Sequence, residues 1–314
     1  MVEIEPTPVD EESSPPMVRP TVPEADALIG KRNPVLDHGF VVLVDYMGND
    51  NAIVQAARVS YGLGTKSARD DRGLIRYLMR HRHTTPFEMV ELKFLVKLPI
   101  FVARQMVRHR TVSLNEVSYR YSVAPDEFHV PASEAIAVQS KRNRQGRAEK
   151  LPPEQAAAFQ AEVRRLSQDA YRAYEKALEQ GTARELARIV LPVNFYTQWY
   201  WKINLHNLFH FLSLRLDAHA QEEIRLYAQA MVPAVKAVTP VAYQAFEDFV
   251  LGAEQLTRLE KVALRAMLEG RTAEEACLRA GLPLLRADGK PMRTGEGVEF
   301  LEKLERIRAA SAGL

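Results

Sequence analysis

Between Arg104 and Arg120 the chain reads Arg-Gln-Met-Val-Arg-His-Arg-Thr-Val-Ser-Leu-Asn-Glu-Val-Ser-Tyr-Arg. Four arginines, a histidine, two serines, an asparagine and a single acid, Glu116, gather here without one lysine. Arginine carries a planar, permanently charged fork that matches phosphate and carboxylate oxygens in pairs. Serine hydroxyls and free amides complete an anion site of this kind. Glu116 can neutralise an arginine or accept from N–H or hydroxyl groups of a ligand. The competing reading is a solvated face tied by ion pairs. Such faces usually mix lysine, glutamate and glutamine, so anion binding is the favoured reading.

Other constellations are less specific. His83-Thr-Thr85-Pro-Phe-Glu88 falls between a helix-like and a strand-like stretch, where it is either a functional loop or a capped turn. His206 and His210 stand four apart on one helical face, and His219 follows. That spacing can bind zinc, but no acid lies between the pair, and the aromatic and apolar surroundings suit a planar cofactor as well. No metal is expected. Arg184 and Arg188 would be a plain surface pair in most proteins. No glycine-rich phosphate loop or dinucleotide fingerprint is visible, so neither a P-loop nor a Rossmann site is supported.

These groups need elements to hold them. Gly39–Asp45 is a continuous β-branched run and predicts a buried strand. Gly48-Asn49-Asp50 offers an N-cap for a helix over Ala52–Val59, and residues 69–82 place Leu74, Ile75, Leu78 and Met79 at helical spacing. Val90, Leu92, Phe94 and Val96 alternate with Glu91, Lys93 and Lys97, which predicts a strand with one wet face. Pro99 suits the first turn of a helix carrying Phe101, Val102, Met106 and Val107. A polar stretch at 108–122 and a loop with the basic run 141–147 follow. A long helix is expected from Pro152-Pro153-Glu154 to Glu179, then a short one over Arg184–Leu191, stopped by Pro192. The aromatic stretch Val193–Ile203 reads as a strand. Helices follow at Leu205–Leu216, Gln221–Val238 (kinked at Pro233) and 241–250. This order does not alternate regularly, so the expected fold class is α+β, a mixed sheet with several helices.

Composition sets the outer bounds. With 42 Lys+Arg against 40 Asp+Glu, 46% apolar and 26% charged residues, the chain has an ordinary globular make-up and a net charge of +2. Residues 1–30 hold seven acids, one base and six prolines, which predicts a disordered acidic tail over 1–35. The remaining body is correspondingly basic. Gly252 is the expected end of the main domain, and 252–314 a helical appendage split by Gly270, Gly281 and Gly289. Residues 270–281 have the outline of a helix-turn-helix unit, a pattern common by chance. Packing or oligomerisation is the preferred role, and nucleic acid is not expected as a partner. The lone cysteine, Cys277, excludes a disulfide framework and a cysteine zinc cluster. There is no apolar run of about 18 residues and no charged-then-apolar leader, so membrane insertion and export are not expected and the cytoplasm is the expected compartment.

At residues 108–120 the sequence resembles a known family. Arg108-His109-Arg110-Thr-Val-Ser113-Leu-Asn115-Glu116-Val-Ser118-Tyr-Arg120 matches RHRxxSxNExSxR, the signature of flavin-dependent thymidylate synthases, at every fixed position. Gly39–Asp50, Ala56–Ser60, His83–Glu88, Pro99–Gln105, Ala187–Pro192 and Leu214–Gln221 are similar to the same family, in order, so the resemblance covers about residues 36–251. It implies that family's fold and a homotetramer with active sites at subunit interfaces. Each site would hold FAD, dUMP, 5,10-methylenetetrahydrofolate and, transiently, NADPH, and would make dTMP and tetrahydrofolate. Gln105, Arg108, Glu116, Val117, Ser118, Tyr119, Arg120, Arg188 and Arg215 match positions that hold dUMP. Thr85, Arg108, His109, Arg110, Glu116, Asn204, His206 and His210 match flavin-contacting positions. Arg215 matches the residue set against the uracil edge, which implies a catalytic cation, and His83 matches a histidine near flavin and folate. His206 and His210 depart from the arginine and asparagine of some relatives, and both retain hydrogen-bonding capacity.

The residue chemistry agrees independently. The unrelated route to dTMP adds a cysteine thiolate to the uracil ring. Cys277 stands in the appendage beside Glu274 and Glu275, which raise a thiol pKa. Activation is therefore expected to run through reduced flavin and Arg215.

Overall fold

The structure, a computed structural model, describes residues 19–59, 68–140 and 146–311. At its centre is one antiparallel sheet of five strands, in the order β1 (Arg32–Val35), β2 (Gly39–Met47), β3 (Glu91–Pro99), β7 (Tyr196–Asn204) and β4 (Ser113–Glu116). A separate ribbon pairs β5 (Ala137–Gln139) with β6 (Arg147–Lys150). The alternation in β3 does what its pattern predicts. Val90, Leu92, Phe94 and Val96 are fully buried, while Glu91, Lys93 and Lys97 take the opposite face. Phe94 lies between Leu43 and Trp201, and Val96 between Val41 and Trp199. A slip of one residue would turn this whole set to the other face, so burial fixes the register.

Helices cover the inner face. α1 spans Pro23–Asp26, α2 Asp50–Arg58, α3 Ala68–Arg80 and α4 Ile100–Met106, while α5 (Pro153–Glu179) and α6 (Arg184–Ala187) pack in a separate cluster with Phe128 and Phe195. After the sheet come α7 (Leu205–Arg215), α8 (Glu222–Val238) and α9 (Pro240–Phe246). Asn49 caps α2, its side chain accepting from the Asn51 amide at 3.0 Å. α7 buries Leu205, Leu208, Phe209, Phe211 and Leu212, and α8 buries Ile224, Tyr227, Met231 and Val235. The Tyr227 hydroxyl donates to the Lys97 carbonyl at 2.7 Å. Gly39 passes so close beneath that a Cβ there would stand 2.0 Å from the tyrosine oxygen. No described helix is long and apolar enough to cross a membrane.

Several expectations shift. Residues 1–18 of the acidic tail lie outside the described residues, but 19–35 are folded, so the body begins well before Leu36. Ala25 on α1 is fully buried, β1 pairs with β2, and Arg19 bonds Asp45 at 2.7 Å. Average composition hid this: Pro23 suits a helix start, and a few apolar residues suffice to dock a short segment. The polar stretch 108–122 contains β4, whose edge position leaves it little burial and therefore no alternation. Pro99 is the N-cap residue of α4, one place before its first turn. The last helix of the body gives way at Glu247 to a π-helical turn ending at Leu251. The basic run at 141–145 lies outside the described residues.

Residues 258–311 form α10 (Arg258–Leu268), α11 (Ala273–Ala280) and α12 (Glu296–Ser311) around Ala263, Ala266, Ala276, Cys277, Leu282 and Phe300. Thr257 and Thr272 open α10 and α11 with reciprocal capping boxes, and Gly281 ends α11 at φ +74°.

Candidate active site

The arginine-rich motif is laid along the sheet edge. β4 pairs with β7, and the Val117 amide continues that pairing by donating to the Gln198 carbonyl at 2.8 Å. Tyr119 then anchors the chain, its hydroxyl donating to the Tyr196 carbonyl at 3.2 Å and its ring set edge-on to Phe195. Burial, with Glu127 and Glu116 nearby, pushes its pKa up to about 12, so it remains neutral. A turn follows in which the Tyr121 amide donates to the Ser118 carbonyl at 3.1 Å.

The result is a cleft of about 500 Å³ lined by Glu116, Val117, Ser118, Tyr119, Arg120 and Arg188, with Thr197 and Phe195 of the β7 region behind them. Arg188 enters from the 3-10 turn that continues α6. Arg120 pairs with Glu185 at 3.0 Å, both half-exposed, a geometry that leaves the guanidinium free to exchange partners. The buried Thr197 hydroxyl donates to Oε1 of Glu116 and orients that carboxylate. Two arginines, a serine hydroxyl and an oriented carboxylate thus share one concavity, a donor set suited to a phosphorylated ligand that also carries donors.

A second group hangs from α7. Asn204 caps the helix, its side chain accepting from the Asn207 amide at 2.9 Å. His206 and His210 line a cleft of about 440 Å³ with His83, Thr84, Phe87, Phe209, Phe246 and Phe249. Thr85 opens the 3-10 turn beside it. His109 joins this group from the motif, edge-on to Phe211 at 4.9 Å and 6.0 Å from the His210 ring, while Arg108 and Arg110 flank it in solvent. Arg215, the last residue of α7, donates from Nε to His109 Nε2 at 3.2 Å. Burial, the Arg215 charge and His210 lower the His109 pKa to about 4, so its imidazole is neutral and accepts. Burial also lowers the Arg215 pKa. Among the described residues no group of three or more His, Cys, Asp or Glu stands ready to hold a metal ion. Aromatic walls and imidazole edges instead fit a flat heteroaromatic group such as a flavin.

Gln105, on α4, lies in neither cleft and bonds Gln221. Sequence reading missed Thr197, Gln221 and Glu223. The only signal for Thr197 was a small polar residue inside an aromatic strand. Cys277 is buried in the appendage core, and burial with nearby Glu274 raises its pKa, which disfavours the thiolate.

Residues 42–241 match the family model described as "Thymidylate synthase complementing protein". The flavin-dependent thymidylate synthase of Ruegeria pomeroyi is 55% identical over 264 residues, 83% of this chain and 87% of the relative. That of Thermus thermophilus is 57% identical over 249 residues, 79% of this chain and 90% of the relative. A solved UMP/dUMP methylase, PolB from Streptomyces cacaoi bound with 5-Br dUMP, superposes with a TM-score of 0.63 at 36% identity. It covers 70% of this chain and 99% of its own. The α+β fold is shared with this nucleotide methylase. The chain belongs to the flavin-dependent thymidylate synthase family.

Proposed function

We infer that the chain catalyses the reductive methylation of dUMP to dTMP, with 5,10-methylenetetrahydrofolate as carbon donor and NADPH, through FAD, as hydride source. The observation that carries this is the single cleft in which Ser118, Arg120, Arg188 and the oriented Glu116 converge. Arg120, Arg188 and Ser118 grip the phosphate, and Glu116 accepts from a donor on the nucleotide. Val117 and Tyr119 hold the ligand along the motif backbone, and Gln105 and Arg108 complete its contacts. FAD, when bound, supplies the reducing hydride. Thr85, His109, Arg110, Asn204, His206 and His210 would hold it, together with Arg108 and Glu116. Arg215 presents a fixed cation to the uracil edge, where it stabilises negative charge as the ring is activated. His83, exposed at the mouth of the aromatic cleft, is placed to order the folate or to pass a proton.

Ser118, Arg120 and Arg188 line one cleft of the chain, and His83, His206 and His210 line another. A homotetramer that brings the first cleft of one copy to the second cleft of another is the proposed assembly. The cytoplasm, where nucleotide, folate and NADPH meet, is the proposed compartment. The test is direct. Purified protein should carry the visible absorption of bound flavin, and NADPH oxidation should accelerate when dUMP is added. Protein that cannot bind added FAD would overturn this reading.

A further inference from the structure

Five polar side chains outside the two clefts are linked in one hydrogen-bonded network. Arg147, the first residue of β6, donates from one guanidinium nitrogen to Glu222 at 2.7 Å and from the other to Oε1 of Glu223. The second oxygen of Glu223 accepts from Nε2 of Gln221 at 2.8 Å. Oε1 of Gln221 in turn accepts from Nε2 of Gln105. The network therefore runs from the β5–β6 ribbon through the start of α8 to α4, and ends on a residue assigned to the nucleotide.

The two ends of a glutamine amide have nearly the same shape, so only its partners decide which end points where. An ionised carboxylate accepts and cannot donate. Glu223 is only 4% exposed, which opposes its charge, yet bonds from Arg147 and Gln221 hold its pKa below that of an ordinary glutamate. Its place in the first turn of α8 also favours the anion. With Glu223 ionised, Gln221 must turn its NH2 towards it and its oxygen towards Gln105. Gln105 must then spend an N–H on Gln221, which leaves its own carbonyl oxygen free.

We propose that Glu223 and Gln221 are positioning residues for nucleotide recognition, fixing the Gln105 amide so that its oxygen is presented as an acceptor to an N–H or hydroxyl donor of the nucleotide. This rests on the reading that Gln105 touches dUMP. Neither Glu223 nor Gln221 needs to touch the ligand. The buried charge acts two residues away by removing the alternative amide orientation. Glu223→Gln restores that alternative, because a glutamine at 223 can donate to Gln221 and both neighbouring amides can then reverse together.

The experiment is a double-mutant cycle read by titration calorimetry of dUMP into the FAD-loaded enzyme. Gln105→Ala should weaken dUMP binding. Glu223→Gln should weaken it roughly tenfold, the worth of one hydrogen bond, with kcat within about twofold. In the Gln105→Ala background Glu223→Gln should have no further effect. Glu223→Asp, which keeps the acceptor-only character, should recover most of the affinity. Should Glu223→Gln fail to fold, Gln221→Leu cuts the same link without disturbing the Arg147 pair and should give the same loss and the same coupling. Unchanged dUMP affinity in Gln105→Ala would overturn the assignment of Gln105 itself. A loss in Gln105→Ala with none in Glu223→Gln or Gln221→Leu, or losses that simply add, would overturn the positioning role alone.

Discussion

Arg215 reaches back from the end of α7 to His109, its Nε–H donating to the imidazole Nε2 at 3.2 Å. Two groups that could both be cations meet here, and the imidazole yields by staying neutral. Because Nε is spent on His109, the guanidinium NH2 groups are free for a ligand. Arg215→Ala should lower turnover by roughly 10²–10³, the usual effect of removing a donor to developing negative charge. Flavin content should remain near that of the parent. Single-turnover dTMP formation beside the flavin absorbance of the same sample checks both halves.

The neutral state of His109 has a pH signature. Its pKa is lowered from 6.5 to about 4, so between those values the unfolded chain binds a proton that the folded chain does not. Its contribution to stability is therefore complete above pH 6.5 and is lost as pH falls through about 4. His109→Gln keeps an acceptor for Arg215 without titrating. Melting temperatures at pH 7 and pH 4.5 should fall further in the parent than in this variant.

Arg120 stands in the other cleft, where its proposed partner is the nucleotide phosphate rather than the reacting ring. Arg120→Ala should raise the KM for dUMP by about ten- to a hundredfold, the range of a hydrogen bond to a charged group, and change kcat little. Steady-state kinetics with dUMP varied separate the two parameters. An equal loss in both would place Arg120 in the chemical step instead.

Gly39 and Tyr227 test the packing behind the sites. Gly39→Ala puts a methyl 2.0 Å from the Tyr227 oxygen and 2.6 Å from the Val35 carbonyl. Crowding of this kind costs about 1–3 kcal/mol or more. Tyr227→Phe removes only the bond to Lys97 and should cost about 1 kcal/mol. Denaturant midpoints should rank parent, Tyr227→Phe, Gly39→Ala.

Cys277→Ala should leave dTMP formation unchanged within about twofold, because the thiol is buried in the appendage with a raised pKa. A loss of turnover at constant fold would return cysteine to the mechanism.

Much of this is legible in the sequence alone. The β3 alternation and the long helix beginning at Pro153 follow from local pattern, because each element's burial repeats with its own period. The motif was legible for its chemistry but not for its form. Ser113–Glu116 is an edge strand, and an edge strand with little burial writes no period into its sequence. Residues 19–35 were misread for a related reason, since a few docking contacts outweigh an average of charge and proline. Gln221 falls in a stretch that resembles the family but carries no role there, and Glu223 gives no signal. Their role depends on an ion pair with a residue some seventy positions earlier, and that proximity exists only in the folded chain.

Nine residues, Tyr196–Asn204, connect both halves of the chemistry. One end of β7 backs the proposed nucleotide cleft through Thr197, and the other runs without a break into the helix that carries His206, His210 and Arg215. The strand works as a ruler. A one-residue insertion or deletion inside it would shift one cleft along the other and invert its own faces at the same time. The spacing from Thr197 to Arg215 therefore fixes how far apart the two clefts stand.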